Sequence, residues 1–137
     1  MRFATRVYLI AGIVGLIEIV PLYFAESLLG RTYPPQITHP EFYYGFAGVT
    51  LAWQVLFLLL ARDPVRYRPL MLPTILEKAG YVIAAIILFA GDRLDPAMLG
   101  TAGIDVILGA LFVVAYVRTA GATVAPGASG TSAVVAG

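Results

Sequence analysis

Glu77 and Lys78 stand side by side inside the apolar stretch PTILEKAGYVIAAIILFAG, residues 73–91. A carboxylate or ammonium at mid-bilayer depth costs about 2.5–3.5 kcal/mol on insertion scales, so such groups face a helix-bundle interior and find partners there. Three more polar residues sit inside other apolar runs: Glu18, Gln54 and Asp105. If all ionise, the three carboxyls outnumber the one ammonium, and the excess negative charge must be relieved by a proton, by water or by a cation. The chemistry open to this set is therefore binding of a small lipophilic or cationic molecule, with or without proton uptake. The plainer alternative is internal glue, in which the same groups bond across helices and fix their packing.

The elements that must position these residues follow from composition. Hydrophobic residues make up 60% of the 137 and charged residues 12%, against about a quarter charged in soluble domains. A bilayer must solvate most of this surface, and the chain reads as an all-α integral membrane four-helix bundle. The expected transmembrane domain is 1–119, with spans at 7–29, 41–61, 70–90 and 96–117, and the Ala, Gly, Ser, Thr, Val and Pro of 120–137 read as a flexible tail. The first run follows Arg2 and Arg6 in the manner of a signal peptide, but its length, Glu18 and the lack of a small-x-small cleavage site favour an uncleaved helix.

Prolines and glycines set the boundaries. Pro21 predicts a kink in the first span close to Glu18, because it removes a helical hydrogen bond. GRTYPPQITHP, residues 30–40, must leave the helix, and Pro40 then suits the first position of the second span with Glu41 at the positive end of its dipole. Gly91 is placed to end the third span, and Asp95 with Pro96 to cap and start the fourth. Arg2, Arg6, Arg62, Arg66, Arg68 and Arg118 fall on one side of this layout, Arg31 and Arg93 on the other. That asymmetry predicts a multi-pass cell (inner) membrane protein with both termini cytoplasmic.

With a rise of about 1.5 Å per residue, Glu18 and Asp105 lie roughly 16–17 Å from the cytoplasmic ends of their spans, and Glu77 and Gln54 about 10 Å in, all in one central slab. Lys78 is about 100° around the helix from Glu77, which predicts that it reaches a carboxylate on another helix. Small residues accompany each acid at helical spacing: Ala11, Gly15, Glu18; Glu77, Gly80, Ala84, Gly91; Thr101, Asp105, Gly109. Such stripes let helices approach closely. The second span carries two nearly opposed stripes, Glu41, Gly45, Gly48, Ala52 and Tyr43, Ala47, Thr50, Gln54, so that one could serve the bundle and the other a second protomer. Trp53 either packs or offers its face to an amine.

Several chemistries drop out. With no cysteine, disulfides, thiolate metal sites and iron-sulfur clusters are excluded. His39, the one histidine, and Glu41 fall short of a metal ligand set, so neither a metal nor another cofactor is expected. The basic residues form no patch suited to nucleic acid, and no nucleophile-base triad, phosphate loop or nucleotide fingerprint is present. No catalytic residue is assigned, and the reading leans away from an enzyme.

Four short spans, cytoplasmic termini, the second span EFYYGFAGVTLAWQVLFLLLARDP and the Gly-rich fourth span LGTAGIDVILGALFVVAY together resemble the small bacterial DoxX-like membrane proteins and their uncharacterised relatives, across residues 7–118. The resemblance implies a four-helix membrane fold and mixed roles, accessory subunits of oxidoreductases among them. In type alone, Glu18, Glu77, Asp105 and Trp53 are also similar to the sterol-isomerase-like membrane fold, where carboxylates inside a small bundle face lipophilic amines or sterols. The leading expectation is binding of a lipophilic or cationic molecule by Glu18, Gln54, Trp53, Glu77, Lys78 and Asp105. The alternative is a non-catalytic accessory or assembly subunit of a membrane complex, and a small membrane isomerase or oxidoreductase component comes third. The partners implied are the lipid bilayer, such a ligand, and a second copy or another membrane subunit.

Overall fold

The computed structural model describes residues 2–122. Residues 123–137, most of the stretch read as a tail, lie outside the described residues. Five α-helices follow one another: α1 Arg2–Ile19, α2 Leu22–Thr32, α3 Pro40–Arg62, α4 Met71–Ala90 and α5 Leu99–Arg118. A 3-10 turn leads into α4 (Arg68–Leu70) and another into α5 (Pro96–Met98), and no strand occurs among the described residues. Pro40–Arg62, Arg68–Ala90 and Pro96–Arg118, 23 residues each, are long and apolar enough to cross a membrane. At 1.5 Å per residue each reaches about 34 Å, against a hydrocarbon core of about 30 Å.

The first span departs from the single kinked helix expected over 7–29. It begins at Arg2 and breaks at Val20 and Pro21, where α2 sets off at 62° to α1; the pair makes a fourth candidate crossing only if both count as one span. Pro21 has no N–H to give to the carbonyl one turn back, and its ring crowds that carbonyl. Downstream the capping residues act as expected. Asp95 accepts a hydrogen bond from the Ala97 N–H at 2.8 Å, and the Gly91 N–H donates to the Ile87 carbonyl at 3.2 Å. The positive φ of this turn falls on Asp92, at 51°, rather than on Gly91, in keeping with the tolerance of aspartate for that region.

Two helix pairs build the molecule: α1 packs on α3 and α4 on α5, and α1 against α5 joins them. Their core lies at the end where α1 starts and α3 and α5 finish. There Tyr8 stacks on Phe112 with ring centroids 4.5 Å apart, and Phe57 meets Phe112 edge-on at 5.2 Å. Ala4, Ala11, Leu60, Ala61, Met71 and Ala115 fill the space around the three rings. Thr74 donates to the Met71 carbonyl at 2.8 Å, so its one hydroxyl proton is used and the Tyr8 hydroxyl, 2.9 Å away, is the donor between them. Arg68 closes the rim, its guanidinium 3.9 Å from the Tyr116 ring centroid and its Nε donating to the Tyr116 carbonyl at 3.2 Å.

Glycine sets the α1–α3 distance. A Cβ on Gly12 would stand 2.8 Å from Leu58 Cδ2 and 3.2 Å from the Gln54 carbonyl, and one on Gly15 would run into the Gln54 carboxamide. Which stripe of α3 meets the bundle is settled as well. Tyr43, Ala47, Thr50 and Gln54 turn inward, with the Tyr43 hydroxyl donating to the Leu22 carbonyl at 2.6 Å. Glu41, Gly45 and Ala52 are exposed, and a Cβ on Gly45 would meet open space.

Candidate functional site

Beyond the aromatic core the two helix pairs border a partly open cavity of about 560 Å³. Ala11, Phe57 and Leu108 border it on the core side, Val14, Phe46 and Ile104 form apolar walls, and Leu22 and Leu29 of α2 reach over it. Into this apolar space four helices bring polar groups: Glu18 from α1, Thr50 and Gln54 from α3, Glu77, Lys78 and Tyr81 from α4, and Thr101 and Asp105 from α5. Five of the six residues expected to form a site thus share one cavity. Trp53 is not among the lining residues and packs half-buried against the core, its ring 6.5 Å from that of Phe57.

Lys78 is the centre of the cluster. Its side chain is 10% exposed, and Nζ lies 3.0 Å from Asp105 Oδ1 across the α4–α5 contact. The expected bond to another helix is therefore present. Its place about 100° around the helix does not keep Lys78 from Glu77 as well: Nζ donates to Glu77 Oε1 at 3.2 Å and lies 3.2 Å from Oε2. A separation of 100° fixes where the two Cβ atoms start, but a four-carbon stem lets the ammonium swing back over its neighbour. Glu77 Oε2 is buried and accepts no hydrogen bond, although the ammonium beside it supplies charge. Lys78 Nζ also lies 5.8 Å from the Phe57 ring centroid.

On α5 the Thr101, Asp105, Gly109 stripe faces α4 as its spacing implies. A Cβ on Gly109 would stand 3.4 Å from Lys78 Cβ, and Tyr81 and Thr101 share a hydrogen bond of 2.8 Å. The stripe proposed for α4 is not its packing face. Met71, Thr74, Lys78 and Ala85 are the buried residues of that helix, whereas Gly80 and Ala84 are exposed and a Cβ on Gly80 would meet nothing. Small size served as the marker of contact there, but on α4 the contact is made by a long polar side chain and an aromatic one.

Gln54 is 3% exposed and spends its amide on its own helix, donating to the Thr50 carbonyl at 3.0 Å. Glu18 is different. The ion pairs among the described residues join His39 to Glu41 and Lys78 to Glu77 and Asp105, and Glu18 enters none of them. Sequence reasoning did not select Tyr81 as a site residue, although it lies three residues beyond Lys78 and so on the same face. Nor did it select Thr50 and Thr101, each one turn before a selected residue.

No protein-family profile, curated protein or solved structure matches the chain. Among the described residues no group of three or more histidine, cysteine, aspartate or glutamate side chains is placed to hold a metal ion. What the geometry offers is a fixed ion triad on one wall, a carboxylate without an ionic partner on another, and apolar side chains between them.

Proposed function

We propose that the chain is a four-span membrane protein, α1 and α2 together making the first crossing, and that its cavity binds a small lipophilic cation. The observation that carries this reading is the coincidence of the cavity with the ionic cluster, Glu18 lying on the cavity wall outside every ion pair among the described residues. A volume of about 560 Å³ falls within the usual 300–1,000 Å³ of small-molecule sites, which are likewise apolar with a few placed polar groups. Lys78 is matched by two carboxylates, so the cluster as a whole is negative and favours a ligand that brings positive charge. The apolar part of that ligand would lie against Phe46, Ile104 and Leu108.

The accessory-subunit reading draws support from Lys78 itself, whose double pairing ties α4 to α5 as structural glue would. The two readings divide the cluster between them: the triad holds the wall and Glu18 meets the ligand. The DoxX-like resemblance belongs to this proposal as a statement about architecture, and it assigns no residue.

Orientation comes from the arginines. Arg2, Arg62, Arg68 and Arg118 stand at helix ends on the closed, aromatic side, which we place in the cytoplasm. Reporter fusions at both termini are expected to read cytoplasmic. A re-entrant α1–α2 would leave three crossings and put the termini on opposite faces, so an exported C-terminal reporter would remove the four-span account.

Site occupancy is tested by photolabelling. A long-chain alkylammonium carrying a diazirine, added to the chain in vesicles, should label Phe46, Ile104 and Leu108. Label confined to Phe42, Leu76, Ile83 and Ile87, exposed side chains outside the cavity lining, would show a lipid-like coat and no cavity ligand.

A further inference from the structure

We propose that a second pocket, formed by α2, the following loop and α3, binds a trimethylammonium group. It measures about 390 Å³, is lined by Tyr23, Glu26, Ser27, Gln36 and Tyr44 among others, and shares no lining residue with the Lys78 cavity.

The pocket is held from three directions. A Cβ on Gly30 would stand 3.3 Å from Gln36 Cα and 3.5 Å from the Ile37 nitrogen. Those are backbone atoms, so the loop lies this close to α2 because residue 30 has no side chain. The Tyr43 hydroxyl ties α3 to the first residue of α2 through the Leu22 carbonyl. Tyr44 is then fixed twice, its ring meeting Tyr43 edge-on at 5.2 Å and its hydroxyl donating to Glu26 Oε2 at 2.8 Å. Tyr23 stands beside it, ring centroids 6.2 Å apart and planes inclined at 39°.

Two tyrosine rings and a carboxylate attract positive charge, and one Glu26 oxygen already serves Tyr44. A primary ammonium holds its water strongly, so exchanging that water for aromatic walls costs it more than it costs a methylated cation. A methylated ammonium has no N–H and presents its charge through a shell of methyl groups, the form of cation that aromatic walls recognise. Two sources share that chemistry: free choline-type solutes and, if the chain spans a bilayer as proposed above, a phosphatidylcholine headgroup. Arg31 distinguishes them. Its Nε donates to the carbonyl of the pocket residue Ser27 at 3.2 Å, which puts a guanidinium at the rim where a headgroup phosphate would follow the ammonium.

The test uses the full chain in a detergent free of choline, with choline and methylammonium as probes followed by saturation transfer to their methyl protons. Choline should bind, and methylammonium should bind at least about threefold more weakly, the scale of one partly exposed cation–aromatic contact. Glu26→Gln and Tyr23→Leu should each weaken choline by about tenfold or more at unchanged melting temperature. In phosphatidylcholine nanodiscs, loss of choline binding that Arg31→Gln restores identifies the headgroup as occupant. Choline affinity that is equal in phosphatidylcholine and phosphatidylglycerol discs identifies the free solute. Methylammonium binding as well as choline, or choline affinity indifferent to both Glu26→Gln and Tyr23→Leu, would overturn the proposal.

Discussion

Replacing Lys78 with methionine should destabilise the fold by about 3–5 kcal/mol, the usual cost of removing one partner from a buried ionic cluster. The loss is not that of one contact. The ammonium sits between Glu77 and Asp105, whose side chains are 20% and 16% exposed, at 3.2 and 3.0 Å. Without it two carboxylates would face each other across the α4–α5 contact, one of them already holding an oxygen without a hydrogen bond. The melting temperature in detergent should fall by roughly 10–20 °C for a chain of this size. Asp105→Asn should cost less, because Lys78 keeps Glu77 and the amide can still accept a hydrogen bond. The triple variant Glu77→Gln, Lys78→Met, Asp105→Asn should recover most of the loss, since neutral side chains need no counter-charge. A Lys78→Met protein melting within a few degrees of wild type would show that the lysine stands in water.

Much of the backbone layout was legible because prolines and capping residues act locally. Pro40 and the Asp95–Pro96 step announce their helix starts whatever surrounds them. Pro21 announced a bend but not its size, because 62° depends on where α2 docks. That is decided by distant partners, the Tyr43 hydroxyl on the Leu22 carbonyl and the loop against Gly30. In the candidate site, Asp105 was readable as bundle-facing because Thr101 and Gly109 flank it on α5. Lys78 was harder. Its face on α4 contains Met71, Thr74 and Ala85, which periodicity does not separate from the exposed Leu76 and Ile83. The cavity was not legible at all, since a space between helix pairs is a property of their packing, and so Tyr81 and Thr50 take their place in the site only through that packing.

The second large effect concerns Glu18 and falls on binding rather than stability. Glu18 lines the cavity and enters no ion pair among the described residues, so Glu18→Gln keeps the shape, breaks no ionic bond and removes one negative charge from the wall. Melting should not change. Affinity for a lipophilic cation should fall at least about tenfold, or about 1.4 kcal/mol, while a neutral ligand with the same alkyl chain should bind as before. Such a pair of ligands subtracts the apolar contribution, which a single affinity cannot do.

The most direct test of the central claim is therefore the ratio of dodecylammonium to dodecanol affinity, measured on the chain in zwitterionic nanodiscs and corrected against protein-free discs, for wild type and Glu18→Gln. A wild-type ratio of about ten or more that falls to about one in Glu18→Gln is the predicted result. A wild-type ratio near one, or a high ratio that survives intact in a folded Glu18→Gln protein, would contradict it.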